Sequence, residues 1–288
     1  MNLVYYPGCT SLKMARNYDI SARYVMDKLG LKYVEPREWT CCGTIETAKI
    51  NRLLWLGLNA KIMSEASSLG GILFTICNGC LLNLRMARSI LKDVGGDRDR
   101  VIKLLEEVGI KYGEPREITH LIDVIVNIIG LRNVSKMVSR KLNGEYIASF
   151  PGCQLIRPRS IMDIDDPDNP TILDKVIELV GGKPVEYDYK TQCCGGPVYL
   201  KDINIARDKV SKIIHSIRRV GGEAILTACP LCHITLETIQ VIYSFQDKIP
   251  VIYFTQLLGY AFGGGVKELG LDYNLTPINN FIKRFREI

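Results

Sequence analysis

The chain has no long uninterrupted apolar run. Its most apolar stretch, Leu121 to Leu131, is broken by Asp123 and Asn127, and a helix that spans a bilayer needs about 20 apolar residues. No membrane insertion is expected. The amino terminus also lacks the pattern of a secretory leader, because Met1 and Asn2 lead straight into a strand-like segment, Leu3 to Tyr6. A cytoplasmic location follows as an expectation. Blocks of like charge with interleaved aromatics are missing: the net charge is +6, with 37 Lys and Arg residues spread among 31 Asp and Glu. Such mixing argues against nucleic acid as a partner. There is no glycine fingerprint for a flavin or nicotinamide, since the triple glycine Gly263-Gly264-Gly265 follows a helix-like segment and no phosphate-binding pattern comes after it. Electrons or hydrides would therefore come from elsewhere. With 47% hydrophobic and 24% charged residues, the composition allows real cores and does not call for disulfide stapling.

Cysteine is where the chain is rich. All ten cysteines fall into two sets of five: Cys9, Cys41, Cys42, Cys77 and Cys80, then Cys153, Cys193, Cys194, Cys229 and Cys232. The spacings are C-x31-CC-x34-C-x2-C and C-x39-CC-x34-C-x2-C. Each adjacent pair is followed by glycine, Gly43 or Gly195, and each set opens with Pro-Gly-Cys, at Pro7-Gly8-Cys9 and Pro151-Gly152-Cys153. A duplication accounts for this pattern. It places one unit at residues 1–143 and a second at 144–288.

The order of elements repeats with the cysteines. Strands at Leu3–Tyr6 and Tyr146–Phe150 run into the Pro-Gly-Cys turns. Helices follow, stopping at Gly30 and at Gly181-Gly182, then short strands at Lys32–Val34 and Pro184–Tyr187. After the paired cysteines, Thr44 to Leu69 and Val198 to Val220 carry helical periodicity and close on double glycines. Buried strands at Ile72–Ile76 and Ala224–Ala228 lead into the C-x-x-C segments. The expected fold is α/β: two homologous domains, each a mainly parallel sheet covered by helices, with the cysteines at strand carboxyl ends. There the five of one set can converge. The segment Pro115–Ile122 resembles Pro250–Leu258 but sits later in its half, so an insertion near 95–112, centred on a charged helix from Asp97 to Val108, is expected in the first unit.

A structural zinc site needs four ligands, usually from two C-x-x-C knuckles, whereas each half here has one. Adjacent thiolates reach two irons of one cluster more readily than they form a strained disulfide ring. In a reducing compartment an iron–sulfur cluster fits the set better. The C-x2-C-x2-C run of ordinary cubanes is absent, so five widely separated thiolates imply an unusual cluster geometry.

The duplicated CCG pattern from Cys9 to Cys232 resembles the catalytic, B-type component of heterodisulfide reductase, a family of duplicated CCG cysteine-rich domains. The resemblance implies two noncubane [4Fe-4S] clusters, one per five-cysteine set, facing one cavity. It also implies reduction of the coenzyme M–coenzyme B mixed disulfide to two thiols by paired one-electron steps. As partners it implies the C-type component of heterodisulfide reductase, with ferredoxin-like cubane clusters, the flavin-bearing A-type component and a small-molecule disulfide. That substrate is anionic, and Lys13 and Arg16 after Cys9, with Arg157 and Arg159 after Cys153, are candidate contacts. His233, directly after Cys232, and His120 are candidate proton donors; where methanogen sequences of the family often place histidine after the opening cysteine of the second half, this chain has Gln154. Two other readings stay open: a heterodisulfide reductase-like component of a sulfur-oxidising complex, and an iron–sulfur protein that only transfers electrons. CCG domains also serve lactate, glycerol-phosphate, succinate and fumarate-linked redox systems.

Overall fold

A computed structural model describes residues 2–246 and 248–287. In chain order its strands are β1 (Leu3–Tyr6), β2 (Tyr33–Val34), β3 (Ile72–Thr75), β4 (Ile118–His120), β5 (Arg140–Lys141), β6 (Tyr146–Phe150), β7 (Lys183–Pro184), β8 (Ala224–Thr227), β9 (Val251–Tyr253) and β10 (Arg286–Glu287). Eight of them form two parallel four-stranded sheets with the same topology, β2-β1-β3-β4 and β7-β6-β8-β9. In both, the Pro-Gly-Cys strand and the C-x-x-C strand are central. Their residues are buried on both faces, from Leu3 to Tyr6 and from Ala224 to Thr227, as parallel strands between helix layers require. β4 and β9 are equivalent fourth strands, which explains the likeness of the two segments around them. The fold class is the one expected.

Local details differ from the sequence reading for physical reasons. The helix expected over Thr44 to Leu69 is two helices, Thr44–Ile50 and Arg52–Ser68, because Asn51 turns extended (φ −148°) and its side chain caps the second by accepting from the Leu54 N–H. Its counterpart is Asp202, which accepts from the Asn204 N–H and starts the helix Ile203–Arg219 after a short 3-10 turn, Gly196–Val198. The second unit's first helix is also reduced. Only Cys153–Ile156 is helical before an irregular stretch that holds Pro158, Pro167 and Pro170, and the helix resumes at Ile172–Leu179. Proline removes the N–H that a helix interior needs. The strand expected over Pro184–Tyr187 pairs only at Lys183–Pro184, and the charged helix of the first half spans Asp97–Glu107.

The two halves are built into each other. The larger core cluster joins first-half residues such as Tyr18, Met26 and Phe74 to second-half residues such as Leu155, Tyr253, Phe254 and Phe281. The helix Arg16–Lys28 packs on Phe254–Ala261, and Tyr18, Tyr253 and His233 form one stack, with centroid separations of 3.9 and 4.0 Å and planes within 10°. At the far end β5 pairs antiparallel with β10.

Candidate functional site

Every cysteine lies beyond the carboxyl end of a strand, and both halves place them by the same devices. After β3 and β8, Thr75 and Thr227 accept from the N–H of Cys77 and Cys229 through their hydroxyls, at 3.2 and 3.3 Å. This turns each chain into the helix that carries the second C-x-x-C cysteine. In the paired-cysteine loops, Gly43 and Gly195 are left-handed (φ 80° and 86°) and donate to Cys41 Sγ and Cys193 Sγ at 3.4 Å. Asn59 holds the first loop by donating to the Cys42 carbonyl, and the Tyr6 hydroxyl donates to the Thr40 carbonyl. Gly8 and Gly152, with φ of 77° and 84°, let the opening turns pass so close that a Cβ on them would lie 3.0 Å from Cys80 Sγ and 3.2 Å from Cys232 Sγ.

All ten thiols are free. In the first set the sulfurs follow one another in a string: Cys9 to Cys41 at 3.4 Å, Cys41 to Cys42, Cys42 to Cys80 at 3.5 Å, and Cys80 to Cys77. The second set repeats it as Cys153, Cys193, Cys194, Cys232 and Cys229. Shared protons split the thiols into acidic and basic partners. A hydrogen bond from Cys153, then one from Cys194, pulls Cys193 down to about 2, while Cys153 is pushed well up. Cys42 is lowered by its hydrogen bonds with Cys41 and Cys80, and Cys229 by its hydrogen bond with Cys232. Thiolate is the form that binds metal. Among the described residues no three His, Cys, Asp or Glu groups surround a single-ion position; a string of five soft sulfurs suits iron–sulfur chemistry.

The two sets meet across the repeat. Asn78, inside the first C-x-x-C, donates to the Pro151 carbonyl at 2.8 Å, and a Cβ on Gly79 would lie 3.2 Å from Gln154 Oε1. Beside this contact is a cleft of about 150 Å³, lined by Thr10, Ile45, Glu46, Cys77 and Asn83 of the first half and by Gln154, Pro197, Cys229 and Leu231 of the second. An adjoining open pocket of about 600 Å³ is lined by Cys153, Gln154, Arg157, Arg159 and Asp168. Gln154 thus faces both. Of the cations, Arg157 and Arg159 line the adjoining pocket and not the cleft. Arg157 donates to the carbonyls of Thr191 and Pro167 and pairs with Asp168, so its guanidinium ties the loop before Cys193 to the irregular stretch around Pro167. Lys13 and Arg16 are exposed beyond Cys9 and line neither. His120 and His233 are buried and line neither. Burial pulls His120 down to about 4, against the backbone of Ile76 and Ala228, and its Nδ1 accepts from the Ile122 N–H. Burial also lowers His233, against the charge of Glu237. The cysteines were legible from spacing, but the cleft walls Ile45, Glu46, Pro197 and Leu231 were not, since they come together only when two distant loops face each other.

These features define a duplicated cysteine-rich redox domain. The CCG cysteine-rich domain family matches residues 3–85 and 147–237, and the chain belongs to it. Among relatives, it is 28% identical over 275 residues, 94% of this chain and 95% of the relative, to the 8-methylmenaquinol:fumarate reductase membrane anchor subunit of Wolinella succinogenes. It is 27% identical over 293 residues, 99% and 97% of the two chains, to the B-type component of the ferredoxin:CoB-CoM heterodisulfide reductase of Methanosarcina mazei. A solved structure of a hypothetical protein from Helicobacter pylori shares the fold, with a TM-score of 0.72 at 15% identity over 96% of this chain; the chain spans 52% of that one. Among the described residues no helix is long and apolar enough to cross a membrane.

Proposed function

We propose that this chain is the substrate-facing redox component of a larger oxidoreductase complex, of the B type found in heterodisulfide reductases. In this reading Cys9, Cys41, Cys42, Cys77 and Cys80 hold one noncubane [4Fe-4S] cluster, and Cys153, Cys193, Cys194, Cys229 and Cys232 hold the other. The observation that carries it is the cleft on which both sets open, through Cys77 and Cys229. When bound, the two clusters supply one electron each to a two-electron acceptor held between them. The protein's own part is to place that acceptor. Ile45, Pro197 and Leu231 give it apolar walls, and Thr10, Asn83 and Gln154 offer hydrogen bonds; Glu46 is the carboxyl group among the described lining residues. For a disulfide with anionic tails, Arg159 in the adjoining pocket is the cation in reach. It has no ion pair among the described residues. Electrons would arrive from a partner of the C type with cubane clusters, itself fed by a flavoprotein.

One observation favours a second reading, in which the acceptor or donor is an uncharged quinone or quinol, as the name of the Wolinella relative has it. The cleft itself holds no Lys or Arg among its described lining residues, and much of its wall is apolar. The test is to prepare the protein anaerobically, count iron and labile sulfide, and assay both substrates. About eight of each are expected, and stoichiometric zinc without sulfide would reject the cluster reading. Arg159→Ala should raise the KM for the mixed disulfide roughly tenfold or more and leave a quinone analogue untouched. Turnover of the quinone analogue alone would select the second reading.

A further inference from the structure

The insertion in the first half covers a helix side that the second half leaves open. The helices Arg52–Ser68 and Ile203–Arg219 are equivalent: each starts at a polar cap, and Leu58 and Lys209 stand 3.4 and 3.3 Å from where a Cβ on Gly43 or Gly195 would lie. In the first half residues 92–117 lead from the C-x-x-C helix to β4. Within them the helix Asp97–Glu107 packs on Arg52–Ser68, Ser64 Oγ accepts from the Gly113 N–H at 3.1 Å, and Leu56, Ala60 and Ser64 are buried. In the second half residues 243–250 make the same connection to β9, and among the described residues no helix takes the place of Asp97–Glu107. Counted from the caps, Arg207, Ser211, His215 and Arg218 occupy the positions of Leu56, Ala60, Ser64 and Ser67. Arg207, His215 and Arg218 are exposed.

This side is shaped and charged. Ser211, Lys212, Ile214, His215, Arg218 and Phe245 line a groove of about 410 Å³. Lys212 also lines a smaller pocket of about 190 Å³, together with Tyr189, Gln192, Cys193, Asp208 and Lys209. Cys193, which does not line the cleft, thus opens beside this helix. The helix carries Arg207, Lys209, Lys212, Arg218 and Arg219, where its first-half equivalent has Arg52 and Lys61 against Glu65. The acids around it are fewer: Asp202 caps its start, Asp208 pairs with Lys212, and Asp188 pairs with Arg219. From these observations we infer that the open side of Ile203–Arg219 is the docking face for an acidic electron-carrier protein, which delivers electrons to the second sulfur set beside Cys193. Charge selects this occupant: a basic face steers an acidic partner, whereas a second copy of this chain would bring its own net charge of +6. Arg207 and Ser211, standing where Leu56 and Ala60 are buried, suit a partner that docks and leaves, since permanent interfaces are more hydrophobic. The carrier gives up one electron per encounter, taken up by the group that the second sulfur set holds, and no bond forms or breaks. The delivery rests on the proposed function of those sulfurs; the docking itself does not.

The experiment is anaerobic titration of the full cluster-loaded chain with an acidic two-cluster bacterial ferredoxin, and with basic cytochrome c as the counter-probe. Ferredoxin should bind with an affinity that falls as salt rises, and cytochrome c should not bind. Arg207→Glu combined with Lys212→Glu should weaken ferredoxin binding at least about tenfold. The same variant should be reduced more slowly by reduced ferredoxin, while its iron content and its reduction by dithionite stay as in the parent. Lys103→Glu combined with Lys283→Glu makes an equal change of net charge at exposed positions outside the face and should be silent. A parent that binds no ferredoxin, or binds cytochrome c as tightly, overturns the inference. So does Arg207→Glu, Lys212→Glu binding as the parent does, or the Lys103→Glu, Lys283→Glu control losing as much. The two claims fail separately. A preparation that holds no iron, yet loses ferredoxin binding in Arg207→Glu, Lys212→Glu, would keep the docking face and reject the cluster reading; an iron-loaded, active protein that binds ferredoxin elsewhere would do the reverse.

Discussion

At the scale of single residues, glycine decides how close the loops come to the sulfurs. Gly8 has φ of 77° and a Cβ there would sit 3.0 Å from Cys80 Sγ and 3.9 Å from Cys77 Cβ. Both the backbone and the space therefore demand glycine. At Gly8 the backbone has φ 77° with ψ 158°, a region nearly closed to other residues, so alanine there costs on the order of 1–3 kcal/mol, and the added methyl would push a ligand sulfur out of line. Gly30 is a control for crowding: its φ is also positive, at 66°, but a Cβ there meets nothing within 4 Å. Gly8→Ala should lower iron and labile sulfide by roughly half, the share of one of two clusters, while Gly30→Ala keeps both and loses only stability. Metal analysis of the two purified proteins checks this, and equal iron in both would show that Gly8 does not guard the sulfur string. The role of Gly8 was half-legible in the sequence. Pro-Gly-Cys signalled a tight turn, but the distance from residue 8 to residue 80 exists only once β1 and β3 lie side by side.

At the scale of elements, strands were read well and helix starts less well, for one reason. The central strands β1, β3, β6 and β8 are short apolar runs bounded by glycine or cysteine motifs, and the sheet buries both their faces, so pattern and packing agree. The helices after the paired cysteines were read as continuous because apolar residues recur at helical spacing across Asn51 and Asp202. Capping competes with periodicity there: a short polar side chain satisfies free N–H groups and lets the chain turn. That turn is what aims Thr44–Ile50 along the cleft. Asn51→Ala and Asp202→Ala should each cost about 1 kcal/mol in urea unfolding, additively, since the caps belong to separate helices. No loss in either variant would mean that neighbouring packing, not the caps, fixes the two helix starts.

At the scale of the whole molecule, the sequence reads as two copies of one unit, and the structure joins them through a shared core cluster, beside a smaller cluster that belongs to the second half alone. Repetition reveals what each copy shares with the other; it is silent about what each contributes to its partner, because such contacts fall on residues that differ between copies. Tyr18 donates its hydroxyl to the Ala228 carbonyl, next to Cys229, and stacks on Tyr253, whereas Asn78 ties the first C-x-x-C to the second Pro-Gly-Cys turn. Ser21 and Thr255 share a buried hydrogen bond of 2.7 Å between the packed helices. These contacts place the two sulfur strings on one cleft and also make each half depend on the other for burial. Residues 1–143 produced alone would uncover Tyr18 and Ser21, both fully buried in the whole chain and both in contact with the second half, at about 25 cal/mol for each Å² of apolar surface uncovered. The isolated half should therefore be aggregation-prone or loosely packed, with dye-accessible apolar surface and little bound iron, and mixing it with residues 144–288 should restore packing and both clusters. An isolated first half that unfolds cooperatively and retains about four irons would show instead that the units are independent. The cleft would then be a contact between finished domains, not a product of their common core.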